Sequence, residues 1–173
     1  ITYTVADGCL DTCVNYYGAE GRPQLPLFGL RFATPEPVEE VSWLGLSGET
    51  YPDRKKGGLF GWHQERPDIP EYLWPQECGA HTVTHQTVLR NGKHTLTFEK
   101  KDTPYVFSAI PYTPLQLSQA YHKFELPEPC RTVVTLCGAM RGVGGIDSWI
   151  SDVEEAYHIH SDKDMTFSFS IHL

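Results

Sequence analysis

His81-Thr82-Val83-Thr84-His85-Gln86-Thr87-Val88-Leu89 and His94-Thr95-Leu96-Thr97-Phe98-Glu99 flank the tetrapeptide Arg90-Asn91-Gly92-Lys93. Both flanking runs carry the β-branched and aromatic residues of strands, and Asn-Gly between two such runs is the strongest short hairpin signal. Both turn residues are expected at positive φ. Working outward, Ile1 to Val5 alternates apolar and polar residues as a half-buried strand should. Leu25 to Phe32, Val41 to Leu46, Val133 to Leu136, Ala156 to Ile159 and Met165 to Ile171 read as further strands. In the last of these, Phe167, Phe169 and Ile171 share one face, with Ser168, Ser170 and His172 opposite. A single helix of about two turns is expected at Thr113 to Gln119, with Thr113 as N-cap and Pro114 at the first helical position. Many short strands and 13 prolines indicate an all-β sandwich or barrel.

A chain of 173 residues fits one domain with a sizeable core, and neither repeats nor a linker divide it. Fourteen basic against 22 acidic residues give a net charge of −8, which disfavours nucleic acid as a partner. Arg54-Lys55-Lys56 and Lys100-Lys101 are too short to reverse that. No apolar run approaches the ~18 residues of a membrane span, and no basic stretch followed by an apolar one marks a signal peptide in these residues. The strand-like pattern already under way at Ile1 suggests a chain that begins inside something larger. Cys9, Cys13, Cys78, Cys130 and Cys137 are odd in number and none forms a two-residue-spaced pair, which argues against structural zinc and full disulfide pairing. Reduced, mostly buried thiols and a cytoplasmic setting are the expectation.

Arg141-Gly142-Val143-Gly144-Gly145-Ile146-Asp147-Ser148-Trp149 is the stretch richest in chemistry. Three glycines in four positions cost backbone entropy that no strand or helix asks for, so the run marks a loop approaching a ligand or another backbone closely. A Trp beside one carboxylate suits a flat apolar sugar face flanked by hydroxyls. On spacing alone a turn whose Trp plugs the core is the favoured reading, since Trp is highly buried on average. Asp53 and Arg54 side by side suit either a polar ligand held bidentately or a salt bridge holding a loop. Trp74-Pro75-Gln76-Glu77-Cys78-Gly79 mixes an aromatic with amide and carboxylate groups, as sugar sites do, but also fits an ordinary anchored loop. His158 and His160 are two apart on an expected strand, without a third ligand, and read as surface histidines rather than metal ligands. A nucleophile elbow, a P-loop and a His-Glu-x-x-His helix are absent from the sequence. No carboxylate pair is singled out for the ~5–9.5 Å separation that glycoside hydrolysis needs.

Taken in order, these segments resemble the C-terminal region of the large bacterial β-galactosidases of glycoside hydrolase family two. Val41-Ser42-Trp43-Leu44-Gly45-Leu46 with Tyr51-Pro52-Asp53-Arg54 resembles that family's Trp-x-Gly-x-Gly-Pro-x-Glu-x-Tyr-x-Asp-Arg stretch. Pro75 to Gly79 resembles its Pro-x-Glu-x-Gly segment, and Tyr112-Thr113 with Leu117 and His122 resembles its short helix leading to a histidine. Gly142 to Gly145 and Asp147-Ser148-Trp149 resemble its glycine-rich Asp-Ser-Trp loop, and Tyr157 with Phe167-Ser168-Phe169 resembles the terminal strands. Three departures stand out. The turn at Leu46 to Tyr51 is one residue shorter, Cys78 replaces an Asn, and Ile146 stands where a polar residue is usual.

The resemblance implies an antiparallel β supersandwich similar to galactose mutarotases, with residues 1–173 as the C-terminal part of a longer domain. It implies a retaining enzyme acting on terminal β-galactosides such as lactose, whose two catalytic Glu residues lie on a separate TIM-barrel domain. This chain would then carry no catalytic residue, metal site or cofactor, and would be inactive alone. Its substrate-binding residues would be Trp149, stacked on the aglycone sugar, with Asp147, Ser148, Gly144 and Gly145 around it. Its partners would be the barrel domain and the β-galactoside, within a homo-oligomeric parent, with neither nucleic acid nor membrane. A non-catalytic carbohydrate-binding or scaffold domain is the alternative, and a mutarotase-like enzyme a third reading suggested by fold alone.

Overall fold

Asp7 and Gly8, at φ 52° and 76°, make the first tight turn and fold the chain into a hairpin of β1 (Thr2–Ala6) and β2 (Cys9–Tyr16). The structure is a computed structural model and describes residues 1–70, 77–92 and 94–172. There follow β3 (Leu27–Ala33), β4 (Glu40–Leu46), β5 (Phe60–Glu65), β6 (His81–Thr84), β7 (Gln86–Asn91), β8 (His94–Lys100) and β9 (Tyr105–Ile110). Helix α1 (Pro114–Gln119) precedes β10 (Val133–Met140) and β11 (Met165–His172). The strands form a seven-stranded antiparallel sheet, β1-β2-β11-β8-β7-β4-β5, and a four-stranded one, β3-β10-β9-β6. Among the described residues no helix is long and apolar enough to cross a membrane.

The two sheets pack face to face, as alternating strands must when each has one apolar side. Val14, Trp43, Phe98, Phe167 and Phe169 from the larger sheet meet Phe28, Tyr105, Phe107, Val134 and Leu136 from the smaller one in a single buried cluster. Each such side chain contributes roughly 1.5–3 kcal/mol by leaving water. Several buried polar groups are paired within the layer. Tyr105 Oη lies 2.9 Å from Thr87 Oγ1 and 3.2 Å from the Phe98 carbonyl, and Trp43 Nε1 donates to the Leu46 carbonyl at 2.9 Å. The all-β sandwich read from the sequence is what the chain forms.

Several local expectations need correction. His81 to Leu89 is not one strand: β6 pairs with β9 in the smaller sheet, and β7 pairs with β4 and β8 in the larger. The chain changes sheet at His85, after a register shift between His81 and Thr84 in which Val83 takes φ 57°. Threonine hydroxyls absorb the disruption, since Thr84 Oγ1 donates back to the His81 carbonyl at 3.0 Å and Thr82 bonds Thr50. His81 itself is buried, its ring centroid 4.2 Å from Trp43 and 4.8 Å from Phe107.

In the hairpin, Asn91 pairs with His94, so Asn91 closes β7 and the positive φ falls on Gly92, at 48°. The Asn91 amide instead donates to the Pro37 carbonyl at 2.9 Å. Ala156 to Ile159 is not a strand; Glu155–Tyr157 forms one 3-10 turn, closed by the Tyr157 N–H on the Glu154 carbonyl at 2.9 Å. Every residue of β1 is exposed rather than half-buried: it pairs with β2 at the end of the larger sheet and supplies no residue to the buried core. Strands β2, β5 and β9 are additional to those expected from the sequence. Helix α1 is as expected, with Thr113 as N-cap, Gln116 completing a capping box and Pro114 in the first turn.

Candidate functional site

Beyond β10 the chain enters the glycine-rich loop, and its entry is tied down at once. The Arg141 N–H donates to the Pro26 carbonyl at 3.0 Å and the Gly142 N–H to the Tyr157 carbonyl at 3.1 Å. The next residues are gripped by the Tyr51-Pro52-Asp53-Arg54 turn. Tyr51 and Arg54 bridge each other through both backbone bonds, with Pro52 pre-set for the first turn position. Asp53 then projects at the loop. Its Oδ1 accepts the Val143 N–H at 3.0 Å and its Oδ2 the Gly144 N–H at 2.8 Å, and its side chain is only 5% exposed. Arg54 Nη2 donates to the Gly144 carbonyl, and Nη1 lies 3.7 Å from Asp53 Oδ2. Of the two sequence readings, the pair therefore holds a loop, and the loop it holds is the one bearing Trp149.

The glycines follow from this grip. Gly144 and Gly145 each take φ of +71°, a region costly to residues with a Cβ. Further on, Asp147 fixes the tip. Its Oδ1 accepts the Trp149 N–H at 2.8 Å and the Ser151 N–H at 3.3 Å, and its Oδ2 accepts the Ser151 hydroxyl. The Ser151 hydroxyl and the Trp149 N–H hold the Asp147 carboxyl below the usual aspartate range. The exit is closed by Asp152, which accepts the Val153 N–H at 2.8 Å and pairs with Arg141. The Val153 N–H, then Arg141, likewise hold the Asp152 carboxyl low.

His158 braces the same exit. Its Nε2 lies 2.9 Å from the Val153 carbonyl, which can only accept, so that nitrogen carries a proton. The side chain is 9% exposed, and Nδ1 sits 3.4 Å from Glu155, while His160 Nε2 lies 2.8 Å from the same carboxylate. His158 is thus an almost buried brace, not a surface histidine on a strand.

At the tip the loop presents apolar side chains to solvent. Trp149 is 86% exposed and Ile150 97% exposed, the latter at φ 64°, an outlying conformation for a β-branched residue. Ile146 is half-exposed, and Ser148 and Gly145 are exposed. Trp149 therefore plugs no core within these residues. Of the site residues expected from the sequence, Trp149, Ser148 and Gly145 face solvent, whereas Gly144 is buried in the clamp and the Asp147 carboxylate is engaged within the loop. A carboxylate accepting three bonds retains about one free acceptor position. The tip thus presents the Trp149 and Ile150 side chains to solvent beside exposed Ser148, Ser151 and Asp152.

Trp74, Pro75 and Gln76 lie outside the described residues. Their neighbours are structural: Glu77 pairs with Arg31, Cys78 is buried with its thiol pushed up to about 12 by burial, and the Gly79 N–H donates to Glu49 at 2.9 Å. Tyr51 Oη donates to the same Glu49, which links this segment to the clamp turn. Asp53 and Arg54 were not among the residues assigned to the site by resemblance. Their adjacency to a Pro-led turn is visible in the sequence, but their partners lie 90 and 91 positions away.

A family profile described as "Beta galactosidase small chain" matches residues 1–171. The chain is 47% identical over 184 aligned residues to a β-galactosidase small subunit of Latilactobacillus sakei, covering 99% of this chain and 58% of that one. It is 35% identical over 179 residues to a β-galactosidase of Halalkalibacterium halodurans (99% of this chain, 18% of that one). It is also 32% identical over 178 residues to the β-galactosidase BgaC of Bifidobacterium adolescentis, covering 98% of this chain and 17% of that one. The chain thus spans just over half of the small subunit and about a sixth of the longer relatives it matches.

Proposed function

The chain belongs to the β-galactosidase small-chain family, and we propose that it completes the aglycone side of a β-galactosidase active site whose catalytic groups lie on another domain or subunit. The carrying observation is Trp149, 86% exposed at the tip of a loop fixed at both ends and in the middle. An exposed indole on a rigid support stacks on a sugar's apolar face at little entropic cost, because its conformation is set before binding. In this reading the substrate is a terminal β-galactoside such as lactose, and the glucose unit lies on Trp149, with Ser148 and Gly145 beside it. Asp147 and Gly144 serve the site by shaping the loop.

Hydrolysis with retention needs two carboxyl groups about 5–5.5 Å apart. In the family resemblance these are glutamates of a TIM-barrel domain, so this chain alone is inactive and acts with a catalytic partner, within a homo-oligomeric parent. The small-subunit name of the Latilactobacillus relative supports a catalytic chain supplied separately. The odd set of free thiols supports a cytoplasmic setting.

Trp149→Ala in the assembled enzyme is the test. Acceptor binding is expected to weaken about tenfold, the effect of losing roughly 1.4 kcal/mol of stacking, while galactosyl transfer to water changes far less. Unchanged Michaelis constants and transfer-to-hydrolysis ratios would overturn the assignment. Titrating the isolated chain with galactose, lactose and glucose separates the binding-module alternative, for which micromolar affinity without a partner is the signature.

A further inference from the structure

We infer that Asp53 and Arg54 are positioning residues of the aglycone subsite, holding the Trp149 loop in its binding geometry through the backbone of Val143 and Gly144. The inference rests on the reading that Trp149 meets the aglycone sugar, and adds to it the pair that decides where the indole stands.

The bonds made by Asp147 run from residue 147 to residues 149 and 151, so they shape the tip without placing it on the body of the protein. Arg141 with Asp152 and His158 with Val153 close the loop's mouth. Pro26 holds the loop's entry at the Arg141 N–H, and among the described residues the clamp is the remote segment that bonds the loop beyond that entry, gripping two N–H groups through Asp53 and one carbonyl through Arg54. The clamp turn is anchored in its own right. The Tyr51 ring is buried among Ala80, Cys137 and Met140, and the Thr50 N–H donates to the Ala80 carbonyl at 2.8 Å. A continuous path therefore runs from packed core through Tyr51, Asp53 and Gly144 to the loop.

Asp53 cannot serve by touching sugar itself. Its side chain is 5% exposed, with each oxygen turned to a backbone N–H of the loop. Its effect must pass through the loop. Charge-assisted bonds to backbone are about twice as strong as neutral ones, and a loop that must be ordered on binding loses affinity in proportion to the freedom it gives up. Release of the clamp should therefore act on the aglycone sugar and leave the galactosyl half of the reaction in place.

The experiment uses the assembled enzyme with Asp53→Ala, Asp53→Asn, Arg54→Lys, Trp149→Ala and the Asp53→Ala/Trp149→Ala double variant. It reads the glucose concentration giving half-maximal transfer, the kcat for hydrolysis, and the melting temperature. Asp53→Ala is expected to raise the half-maximal glucose concentration about tenfold, with hydrolytic kcat changed no more than about twofold. Arg54→Lys, which still offers the Gly144 carbonyl a donor, should recover most of the wild-type value. On the Trp149→Ala background Asp53→Ala should add nothing, because the group it positions is gone. Asp53→Asn keeps the shape and one acceptor, and carries the same test if Asp53→Ala fails to assemble. A lower melting temperature with an unmoved glucose response, or full additivity in the double variant, overturns the clamp alone. An unmoved response in Trp149→Ala itself overturns the subsite reading and this inference together.

Discussion

Gly142 and Asp53 are packed so closely that a Cβ on Gly142 would stand 2.8 Å from the Asp53 carboxyl carbon, and 2.9 Å from Tyr157 Cβ. The first glycine of the loop is therefore needed for the approach of a carboxylate from the same chain. The later two serve backbone conformation, each at φ +71°. At Gly145 a Cβ would meet nothing nearer than Arg54 Nη2, at 3.9 Å.

Gly142→Ala and Gly145→Ala should accordingly fail in different ways. The first forces the clamp or the Tyr157 turn to move and should destabilise the protein by about 1–3 kcal/mol, as overpacking does. The second meets only the left-handed backbone penalty of roughly 1–2 kcal/mol, and should leave the Asp53 grip intact. Denaturant midpoints measure the cost. The Gly144 amide resonance, shifted by its carboxylate acceptor in the parent, should move in Gly142→Ala and stay in Gly145→Ala.

How far the sequence was legible follows from whether each feature is encoded locally. The sandwich is read correctly because β-branched alternation and turn residues are local, and Thr113-Pro114 with Gln116 announces helix α1 unaided. The Asp7-Gly8 turn is just as local, and its signal was there to place β2. The stretch from His81 to Leu89 misleads because threonine is favoured in strands yet can also bond its own backbone, which here lets the chain change sheet without a glycine or proline to mark it. Ala156 to Ile159 has the composition of a strand, but its Tyr157 carbonyl instead accepts the Gly142 N–H at the loop's entry. The exposure of Trp149 follows from no periodicity, and only the ordered companion motifs pointed to it. The Asp53–Gly144 contact, spanning 91 positions, lies beyond any pattern of spacing.

The cysteines should separate cleanly by reactivity. Cys130 is exposed, whereas burial pushes the Cys78 and Cys137 thiols up to about 12. Since the thiolate is the nucleophile, a mild alkylating reagent near pH 8 should modify Cys130 first. Cys78 and Cys137 should remain unlabelled until denaturant unfolds the sandwich. Peptide mapping by mass spectrometry after timed labelling reads this directly. Early modification of Cys137 in the native protein would contradict its position against Ala80 and Met140.

Tyr105→Phe tests the polar layer between the sheets. The phenol is buried, raised above its usual range by that burial, and bonded to Thr87 Oγ1 and the Phe98 carbonyl. Removing it leaves two buried oxygens short of a partner while keeping the ring. The expected loss is about 1–3 kcal/mol, read as a lower denaturant midpoint with an unchanged slope. Pairing it with Thr87→Val removes one orphan, so the double variant should lose less than the sum of the singles.

The loop should respond to acid before the core does. Asp147, bonded by the Ser151 hydroxyl and the Trp149 N–H, and Asp152, bonded by the Val153 N–H and Arg141, both have folded values below the ordinary aspartate range. A carboxyl lowered on folding binds fewer protons folded than unfolded, so its contribution is fully present above the unfolded value of about 3.9. That contribution is lost as pH falls through the lowered folded value. Down to about pH 4 these two carboxylates should therefore leave the Trp149 tip closed, and below that the tip should open while the Phe98 cluster remains packed. Indole resonances followed on acidification, with amide exchange in β8 as the reference for the core, separate the two events. Asp147→Asn keeps an acceptor for the Trp149 N–H but cannot titrate. In that variant the acid transition at Trp149 should flatten, and a transition of undiminished size would reassign the opening to Asp152 and its pairing with Arg141.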